Sequence, residues 1–454
     1  MRPPAVGRLL ERADMAALID EHGRQAVVEA LRSAVKGLRS DPALAGKDTS
    51  PDALEGWVAG QVSGYLAEAP RRLRRVINGT GVVIHTNLGR APLGEGIARR
   101  ATEIGAGYSN LELDRSSGRR GDRQDLLSDL LIRLSGAEAA MVVNNAAAAV
   151  LLGLTALCRG REVIVSRGEA IEIGGGFRIP EILRLSGARL VEVGTTNRTR
   201  VADYVDASGA RTAAYLRVHQ SNFRMDGFVA RPDLRELTTA AHDLGIPLLE
   251  DVGSGLIPLG PEAVRAEDRL HSSIAAGVDL LFSSGDKLVG ASQAGLIMGG
   301  KEMVGRLRRH PLARALRPDK LQLAALEGTL LCYDTPGRLG EIPVWWMLGR
   351  TADELRRRAE VWAVTLAAAG CSVDVIAMSG AVGGGTTPGA ELPSHGILLR
   401  VPKAAAARRS LIRGETPILA LEWEGGLAID ARCVLPRDEG PLLSVLASTF
   451  GGSS

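Results

Sequence analysis

The sequence predicts an α/β fold with a mostly parallel central sheet, preceded by a small helical domain and followed by an α+β domain. Three observations predict it: apolar residues at helical spacing near the start, short apolar runs alternating with helical patterns in the middle, and further strand-like runs near the end. A chain of 454 residues is expected to form two to four domains, because one core rarely serves more than about 250–300 residues. The predicted domains are 1–70, 71–330 and 331–454.

The first region is predicted to be helical. Apolar residues recur near helical spacing at Leu9-Leu10, Ala17–Ile19 and Val27–Leu31, and a further helix is predicted over Pro51–Glu68. Residues 1–75 carry 12 Lys and Arg against 10 Asp and Glu, an excess of 12 − 10 = +2. This small excess gives only weak support for a nucleic-acid-binding role.

The second region is predicted to contain the central sheet. Its short apolar runs predict seven buried strands: Ala140–Val143, Glu162–Val165, Arg189–Val193, Ala213–Val218, Pro247–Leu249, Leu280–Phe282 and Ala294–Met298. Helical patterns separate most of these runs, which is typical of parallel strands joined by helices. Ligands of such sheets bind at the carboxyl ends of the strands.

The last region begins with helices and returns to strands. Residues 300–330 are predicted to be helical, and 301–320 hold seven Lys and Arg against two acids, an excess of 7 − 2 = +5. Leu355–Ala369 has another helical pattern. Four runs predict strands of a C-terminal α+β domain: Val373–Ile376, Gly396–Val401, Ile418–Glu422 and Leu427–Asp430.

Composition excludes several classes of protein. The formal charge is 55 − 52 = +3, so the chain is not a polybasic or acidic tail protein, although a local basic surface is still possible. The longest uncharged run, Ala139–Cys158, contains Asn144 and Asn145 and is predicted to be a strand, a turn and a helix. The N-terminus lacks the apolar core of a signal peptide. Four widely spaced cysteines predict neither a metal site nor a disulfide framework, and hence a reduced cytoplasmic protein.

Lysine is scarce, and one lysine has a notable position. Only six of the 55 basic residues are lysines, and Lys287 is the single lysine between Asp48 and Gly300. It follows the predicted strand Leu280–Phe282 and the small polar residues Ser283-Ser284, so it is expected at the ligand-binding edge of the sheet. A lysine there can form a Schiff base with an aldehyde cofactor. Taken alone, such a lysine more often simply points to solvent.

Upstream features favour the functional interpretation. Asp251 follows a predicted strand and is suited to pair with a pyridinium nitrogen. His219–Asn222 follow another strand; Asn222 lies 29 residues before Asp251, and Lys287 comes 36 residues after Asp251. Small residues at Asn145–Ala147 open a helix directly after a strand, where backbone N–H groups bind phosphate. The order of phosphate seat, acid and lysine predicts a pyridoxal 5'-phosphate site. The predicted cofactor-binding residues are Lys287, Asp251, Asn145, Ala146, Ala147, Asn222 and Ser284.

Ordered motifs indicate a particular family. They are Arg75–Arg90, Tyr108–Glu112, Gly118–Arg123, Ser166–Glu169, Gly174–Glu181, Val193–Thr199, Ser221–Phe223, Asp251–Gly255 and Ser284–Lys287. In these segments the chain resembles the bacterial selenocysteine synthases, the L-seryl-tRNA(Sec) selenium transferases. The resemblance implies a fold-type I pyridoxal-phosphate-dependent transferase that assembles as a homo-oligomeric ring of dimers, a decamer in this family.

The resemblance also implies the reaction. Lys287 would bind the cofactor and take the Cα proton of seryl-tRNA(Sec), the serine hydroxyl would be eliminated, and selenium from selenophosphate would be added. The predicted catalytic residues are Lys287, Arg90, Arg314 and Arg317, the three arginines forming a site for the oxyanionic selenium donor. Spacing alone places Arg314 and Arg317 one turn apart on a solvated basic helix face. The helices of residues 1–70 would bind the tRNA.

Several residues keep alternative interpretations. His85 and His219 either protonate the departing hydroxyl, stack on the cofactor ring or have a structural role. Arg120 and Arg123 either contact the nucleotide or the neighbouring subunit, or do neither. The role of Glu169 and Glu172 is open. Tyr108–Glu112 either reaches a neighbouring subunit's site or is a surface loop.

The chain departs from the family pattern at two places. Ala146 stands where the family usually has a third asparagine, so a backbone phosphate contact survives and a side-chain contact does not. Glu415–Leu419 replaces a double proline, and no C-terminal residue is assigned to the active site. Two other functions stay open from the sequence: a related lyase that eliminates water or ammonia from a small amino acid or sugar acid, and a non-catalytic tRNA-binding protein.

Overall fold

A computed structural model describes residues 4–37, 50–68, 73–173, 176–220, 223–257, 261–265, 267, 269–387 and 389–452. The chain forms two compact units, Met1–Arg75 and Val76–Ser454. The predicted boundary at residue 330 is not a division between these units, and the threefold domain division stays a prediction.

The first unit consists of helices, as predicted. Its helices are α1 (Val6–Leu10), α2 (Ala13–His22), α3 (Arg24–Gly37) and α4 (Pro51–Glu68). Their apolar faces meet in a core that includes Leu9, Leu31 and Val58. Helix α4 has the predicted bounds, because Pro51 presets its first turn and the Ser50 hydroxyl accepts a hydrogen bond from the Ala53 N–H at 3.4 Å.

The second unit holds the remaining elements. Its helices are α5 (Glu95–Ala106), α6 (Asp125–Ser135), α7 (Ala146–Cys158), α8 (Ile179–Ser186), α9 (Val201–Asp206), α10 (Leu234–Asp243), α11 (Leu270–Ala275), α12 (Lys301–Arg309), α13 (Pro311–Ala315), α14 (Lys320–Asp334), α15 (Pro343–Leu348), α16 (Ala352–Ala368), α17 (Ala404–Arg413) and α18 (Pro436–Phe450). Its strands are β1 (Ile77–Asn78), β2 (Val82–Ile84), β3 (Ala139–Val143), β4 (Glu162–Ser166), β5 (Glu172–Ile173), β6 (Phe177–Arg178), β7 (Arg189–Val193), β8 (Thr212–Val218), β9 (Leu248–Gly253), β10 (Leu280–Ser284), β11 (Gly295–Gly299), β12 (Val373–Gly383), β13 (Glu391–Arg400), β14 (Ile418–Leu419), β15 (Leu421–Trp423) and β16 (Gly426–Asp430).

The central sheet has seven strands in the order β3-β11-β10-β9-β8-β4-β7. Strand β11 runs antiparallel to both neighbours, and the other pairs are parallel. The predicted mostly parallel sheet is therefore confirmed. The largest difference concerns β9, which continues to Gly253, so that Asp251 lies within the strand rather than after it.

Helices cover both faces of this sheet, which explains why its strands are apolar along their whole length. Helices α6, α10, α11 and α14 pack on one face, with Leu127, Leu237 and Leu326 in the shared core. Helices α7, α8 and α12 pack on the other face, which includes Leu152 and Val304. The uncharged run Ala139–Cys158 forms β3, a turn and α7, and none of the described helices is long and apolar enough to cross a membrane.

A second sheet of five strands has the order β15-β16-β13-β12-β2. Helices α16 and α18 cover one face through a core that includes Trp362 and Leu442. Strand β2 comes from the start of the unit and pairs in parallel with β12, with Ile84 opposite Gly383. This pairing brings the segments that follow the two strands to the same edge of the sheet.

The basic helical region differs from the prediction in one respect. Helix α13 ends at Ala315, so Arg314 lies on the helix and Arg317 lies in the linker before α14. The prediction that both arginines share a helix is wrong. The reason is Pro318, because the ring of a proline disfavours the helical conformation of the residue before it.

Candidate active site

Lys287 lies at the carboxyl edge of the central sheet, in the turn after β10. Its side chain is enclosed, with only 5% of the residue exposed. Burial lowers the pKa of the Lys287 amine, and the charge of Asp251 partly raises it again. The structure therefore favours a more nucleophilic amine than an exposed lysine would present.

Asp251 supplies an acid beside this amine. It lies on β9, directly opposite Phe282 of β10, and its Oδ1 accepts a hydrogen bond from the Gly253 N–H at 3.0 Å. Burial raises the pKa of the Asp251 carboxyl, and the charge of Lys287 lowers it. A buried carboxylate in this position is stable only with a cationic partner, which a protonated pyridine nitrogen provides.

The turn between β3 and α7 has the features of a phosphate seat. Asn145 is the N-cap of α7, and its side chain accepts a hydrogen bond from the Ala148 N–H at 2.8 Å. The N–H groups of Ala146 and Ala147 belong to the first turn and have no partner within the helix. The Oδ1 of Asn144 is buried and lacks a partner among the described residues. The N–H groups are suited to hold an anion, whereas the Asn144 oxygen is an acceptor and needs a donor.

Arg90 is brought next to the lysine through Asp286. Its Nη1 lies 2.9 and 3.2 Å from the two carboxylate oxygens of Asp286, which also accepts a hydrogen bond from the Ser284 hydroxyl at 2.5 Å. The charge of Arg90 contributes to the lowered pKa of Lys287. Among the described residues, Arg90 is the single non-glycine residue with positive φ, at 63°. Such a backbone costs about 1–3 kcal/mol and typically occurs at functional sites.

The other two predicted arginines are not brought next to Arg90 within one chain. Arg314 is exposed on α13. Arg317 Nη1 lies 3.5 Å from the Glu112 Oε1, and Leu316 next to it accepts a hydrogen bond from the Asn144 N–H at 2.9 Å. No contact recorded for the described residues joins Arg314 or Arg317 to Arg90. Within one chain, the structure thus places Arg317 near the phosphate seat and Arg90 near the lysine.

The predicted histidines lie near the same edge. His85 follows β2, its Nδ1 is buried without a partner among the described residues, and burial lowers the pKa of its ring. His219 follows β8, and its backbone N–H donates to the Asp251 carbonyl at 2.9 Å. Its ring Nε2 lies 3.7 Å from the Glu267 Oε1. Asn222, predicted to orient the cofactor ring, lies outside the described residues.

The two glutamates have structural contacts. Glu169 is buried and accepts a hydrogen bond from the Val218 N–H at 3.0 Å, which fixes the end of β8. Glu172 is exposed and pairs with Arg178 at 2.6 Å. Tyr108 is fully exposed. These contacts assign neither glutamate to the chemistry.

Two neighbours of Lys287 are not apparent from the predicted site residues. One is Asp286, described above. The other is Gly385, a C-terminal residue with a φ of 84°, so near to the lysine that an added Cβ would lie 2.7 Å from Nζ. The sequence predicts no C-terminal residue in the site, but Gly385 lies in it. The glycine-rich run Gly383–Gly385 is the signal in the sequence that could have marked it. Thr387, two residues on, lines a cavity of about 390 Å³ together with His219.

These groups fit a particular cofactor. The buried amine suits an aldehyde, the buried acid suits a pyridine nitrogen, and the N–H groups at the start of α7 suit a phosphate. All three lie at the carboxyl edge of a mostly parallel sheet. Fold and site together define a pyridoxal-phosphate-dependent enzyme of fold type I.

Comparisons with known proteins identify the family. A model described as L-seryl-tRNA selenium transferase matches residues 76–435, and one described as selenocysteine synthase N terminal matches residues 4–39. An L-seryl-tRNA(Sec) selenium transferase of Geobacter sulfurreducens is 46% identical over 98% of both chains. One of Rhizobium meliloti is 42% identical over 99% of this chain and 97% of its own. The chain belongs to the L-seryl-tRNA(Sec) selenium transferase family.

A solved structure is similar in fold. D-glucosaminate-6-phosphate ammonia-lyase superposes with a TM-score of 0.57 and 19% identity, covering 84% of this chain and 97% of that one. At this identity the similarity supports the fold and does not transfer the lyase activity.

Proposed function

We propose that this chain converts L-seryl-tRNA(Sec) to L-selenocysteinyl-tRNA(Sec), eliminating the serine hydroxyl and adding selenium from selenophosphate. The observation that carries the proposal is the Lys287–Asp251 pair at one sheet edge, in a chain that matches selenium transferases along nearly its whole length. Bound pyridoxal phosphate supplies an electron sink for the carbanion formed at the serine Cα.

We assign a separate role to each of these side chains. Lys287 takes the proton from the serine Cα, which its lowered pKa favours because the neutral amine is the base. Asp251 keeps the cofactor ring nitrogen protonated. The N–H groups of Ala146 and Ala147 hold the cofactor phosphate, with Asn145 fixing the helix start. Ser284 holds Asp286, which orients Arg90 beside the lysine.

The selenium donor is a small oxyanion, and guanidinium groups are suited to bind it. We assign this role to Arg90, Arg314 and Arg317. Arg90 is held by Asp286, the residue before the lysine, and Arg314 is accessible on α13. In a homo-oligomer, which we propose to be a ring of dimers and a decamer, arginines of different chains can meet. The fully exposed Tyr108 and the exposed Leu113 support such a contact surface.

The enzyme is proposed to act in the cytoplasm. The four cysteines are free and buried, which agrees with a reducing compartment. Cys158 is an example in which burial raises the pKa of the thiol to about 12, so that it stays protonated.

The direct test supplies the purified protein with seryl-tRNA(Sec), pyridoxal phosphate and selenophosphate and measures selenocysteinyl-tRNA(Sec). We expect product that requires all three. Turnover of a free amino acid or sugar acid without tRNA binding would instead support the related lyase. A protein that stays colourless with added cofactor would support a non-catalytic tRNA-binding protein.

Replacing Arg314 or Arg317 by alanine is expected to impair selenium transfer and to spare the steps before it. Loss of one charge-assisted hydrogen bond to the donor costs roughly 2–3 kcal/mol in kcat/KM for selenophosphate. Seryl-tRNA binding and the visible absorbance of the bound cofactor stay unchanged. The control is Arg309→Ala, which removes another exposed arginine from the same basic region. Loss of cofactor binding in either variant would show that the assignment is wrong.

Deleting residues 1–70 is expected to abolish tRNA binding and to leave the cofactor site intact. The physical reason is that Met1–Arg75 is a separate compact unit with its own core, whereas the site lies in Val76–Ser454. Filter binding of tRNA and the visible absorbance of bound cofactor test the two halves of this prediction. Unchanged tRNA affinity of the shortened chain would defeat the assignment of tRNA binding to the helical unit.

A further inference from the structure

Arg123 is an enclosed arginine whose contacts point inward. Only 16% of its side chain is exposed. Its Nε and Nη2 donate hydrogen bonds to the Glu112 Oε1 at 3.0 and 2.6 Å, and its Nη1 donates to the Pro318 carbonyl at 2.9 Å. Since all three nitrogens have partners within the chain, this side chain is built to hold other residues rather than to reach a ligand.

The carbonyl that Arg123 holds belongs to the linker that carries Arg317. On the other side of Arg317, the Leu316 carbonyl accepts a hydrogen bond from the Asn144 N–H at 2.9 Å. The linker is therefore fixed on both sides of Arg317. Arg317 also approaches the Glu112 oxygen that Arg123 contacts, at 3.5 Å.

The next residue ties Arg123 to the strand that leads to the phosphate seat. The buried Gln124 side chain donates a hydrogen bond to the Val142 carbonyl at 2.8 Å and accepts one from the Val142 N–H at 2.7 Å. Val142 precedes Asn144 by two residues, and Asn144 holds Leu316. The hydrogen bonds thus close a ring that runs from Arg123-Gln124 through the end of β3 to the linker and back.

We propose that Arg123 is a positioning residue for Arg317 in the selenium-transfer step. The proposal rests on the proposed function, in which Arg317 binds the selenium donor. Arg123 fixes the linker so that the Arg317 guanidinium is held in place before the donor arrives, and it does not itself touch the donor. The planar guanidinium of Arg123 presents separate nitrogens to Glu112 and to the Pro318 carbonyl, whereas a lysine has a single nitrogen for both and cannot reproduce this geometry.

A double-mutant cycle tests the proposal on the full-length holoenzyme. The variants are Arg123→Lys, Arg317→Ala and their combination, assayed with saturating seryl-tRNA(Sec) and varied selenophosphate. Arg123→Lys is expected to raise the KM for selenophosphate about tenfold, because a misplaced binding group loses most of its effect. The KM for seryl-tRNA(Sec) and the absorbance of the bound cofactor stay at wild-type values. In the Arg317→Ala background, Arg123→Lys has no further effect on the selenophosphate KM.

Two further variants sharpen the result. Glu112→Gln weakens the contacts of Glu112 with both Arg123 and Arg317 without removing either arginine, and it is also expected to raise the selenophosphate KM. Arg120→Ala is the matched control, because Arg120 also contacts Glu112, at 2.8 Å, but is 73% exposed and has no recorded contact with the linker. It should leave the selenophosphate KM unchanged.

The outcomes separate the two proposals. If the wild-type protein makes no selenocysteinyl-tRNA(Sec), the proposed function fails. If it does, but the effects of Arg123→Lys and Arg317→Ala are additive, the positioning role is wrong. A rise in the KM for seryl-tRNA(Sec) instead of selenophosphate would overturn the positioning role as well and assign Arg123 to the tRNA. If Arg123→Lys does not fold, Arg123→Gln in the wild-type and Arg317→Ala backgrounds decides between additivity and its absence, because it leaves the Glu112–Arg317 contact in place.

Discussion

Replacing Lys287 by alanine is expected to remove the visible absorbance of the bound cofactor and to lower selenocysteinyl-tRNA(Sec) formation by roughly 10⁴-fold or more. The side chain both binds the cofactor covalently and takes the Cα proton, so one substitution removes two functions. The structure supports this because the amine is enclosed and its pKa is lowered by burial. Spectra after addition and removal of excess cofactor, with single-turnover assays, measure both effects.

Two comparisons make the Lys287 result specific. Lys301→Ala removes an exposed lysine at the start of α12 and should leave spectrum and turnover unchanged. Lys287→Ala itself should still bind seryl-tRNA(Sec), because the helical unit is untouched. Appreciable turnover in Lys287→Ala would mean that another group takes the Cα proton.

The position of Lys287 at the carboxyl edge of the sheet could be predicted for a physical reason. Strand β10 is buried on both faces and therefore appears in the sequence as a continuous apolar run, and the rule that ligands bind at the carboxyl ends of parallel strands then locates the residues after it. The same reasoning locates the start of α7, and it locates Asp251 only approximately, because β9 runs further than predicted and includes this residue. Fold class and these three parts of the site follow from local sequence.

The features that local sequence does not predict depend on contacts between distant segments. Strand β2 joins a sheet whose other strands come after residue 370, and this pairing places Gly385 against Lys287. No periodicity within either segment specifies the partner. The placement of Arg317 outside a helix does not depend on a distant contact. It could have been predicted from local sequence, because Pro318 is a helix-ending signal.

The surroundings of the site arginines also depend on contacts between distant segments, which local sequence does not predict. Arg90 is predicted from its motif, but its role beside the lysine depends on Asp286, and its positive φ depends on the loop between β2 and α5. Arg123 lies two residues after Gly121 in a glycine-bounded segment, yet its side chain is enclosed. Burial of a charged side chain is decided by partners far along the chain, here Glu112 and Pro318.

Asp251→Asn is expected to leave the fold intact and to slow the reaction by about 10²-fold or more, because a preorganised charge that stabilises the transition state is lost. The amide has nearly the same shape but carries no negative charge, so it would not keep a proton on the cofactor ring nitrogen, and the electron sink that the cofactor would supply is weakened. The exchange of deuterium into the serine Cα of seryl-tRNA(Sec) measures this step directly. It should slow in parallel with product formation, with selenophosphate saturating.

Glu250→Gln provides the matched control, since it changes the preceding carboxylate on the same strand. Successive strand residues point to opposite faces, and Glu250 is buried in an ion pair with Arg217 at 3.0 Å. Its loss is expected to lower the free energy of unfolding, because a buried charge loses its partner, while Cα exchange per folded molecule stays near the wild-type rate. Asp251→Asn should show the reverse, with stability largely kept and exchange slowed. Equal losses of exchange in both variants would mean that Asp251 acts through the packing of β9 rather than through the charge it presents to the cofactor.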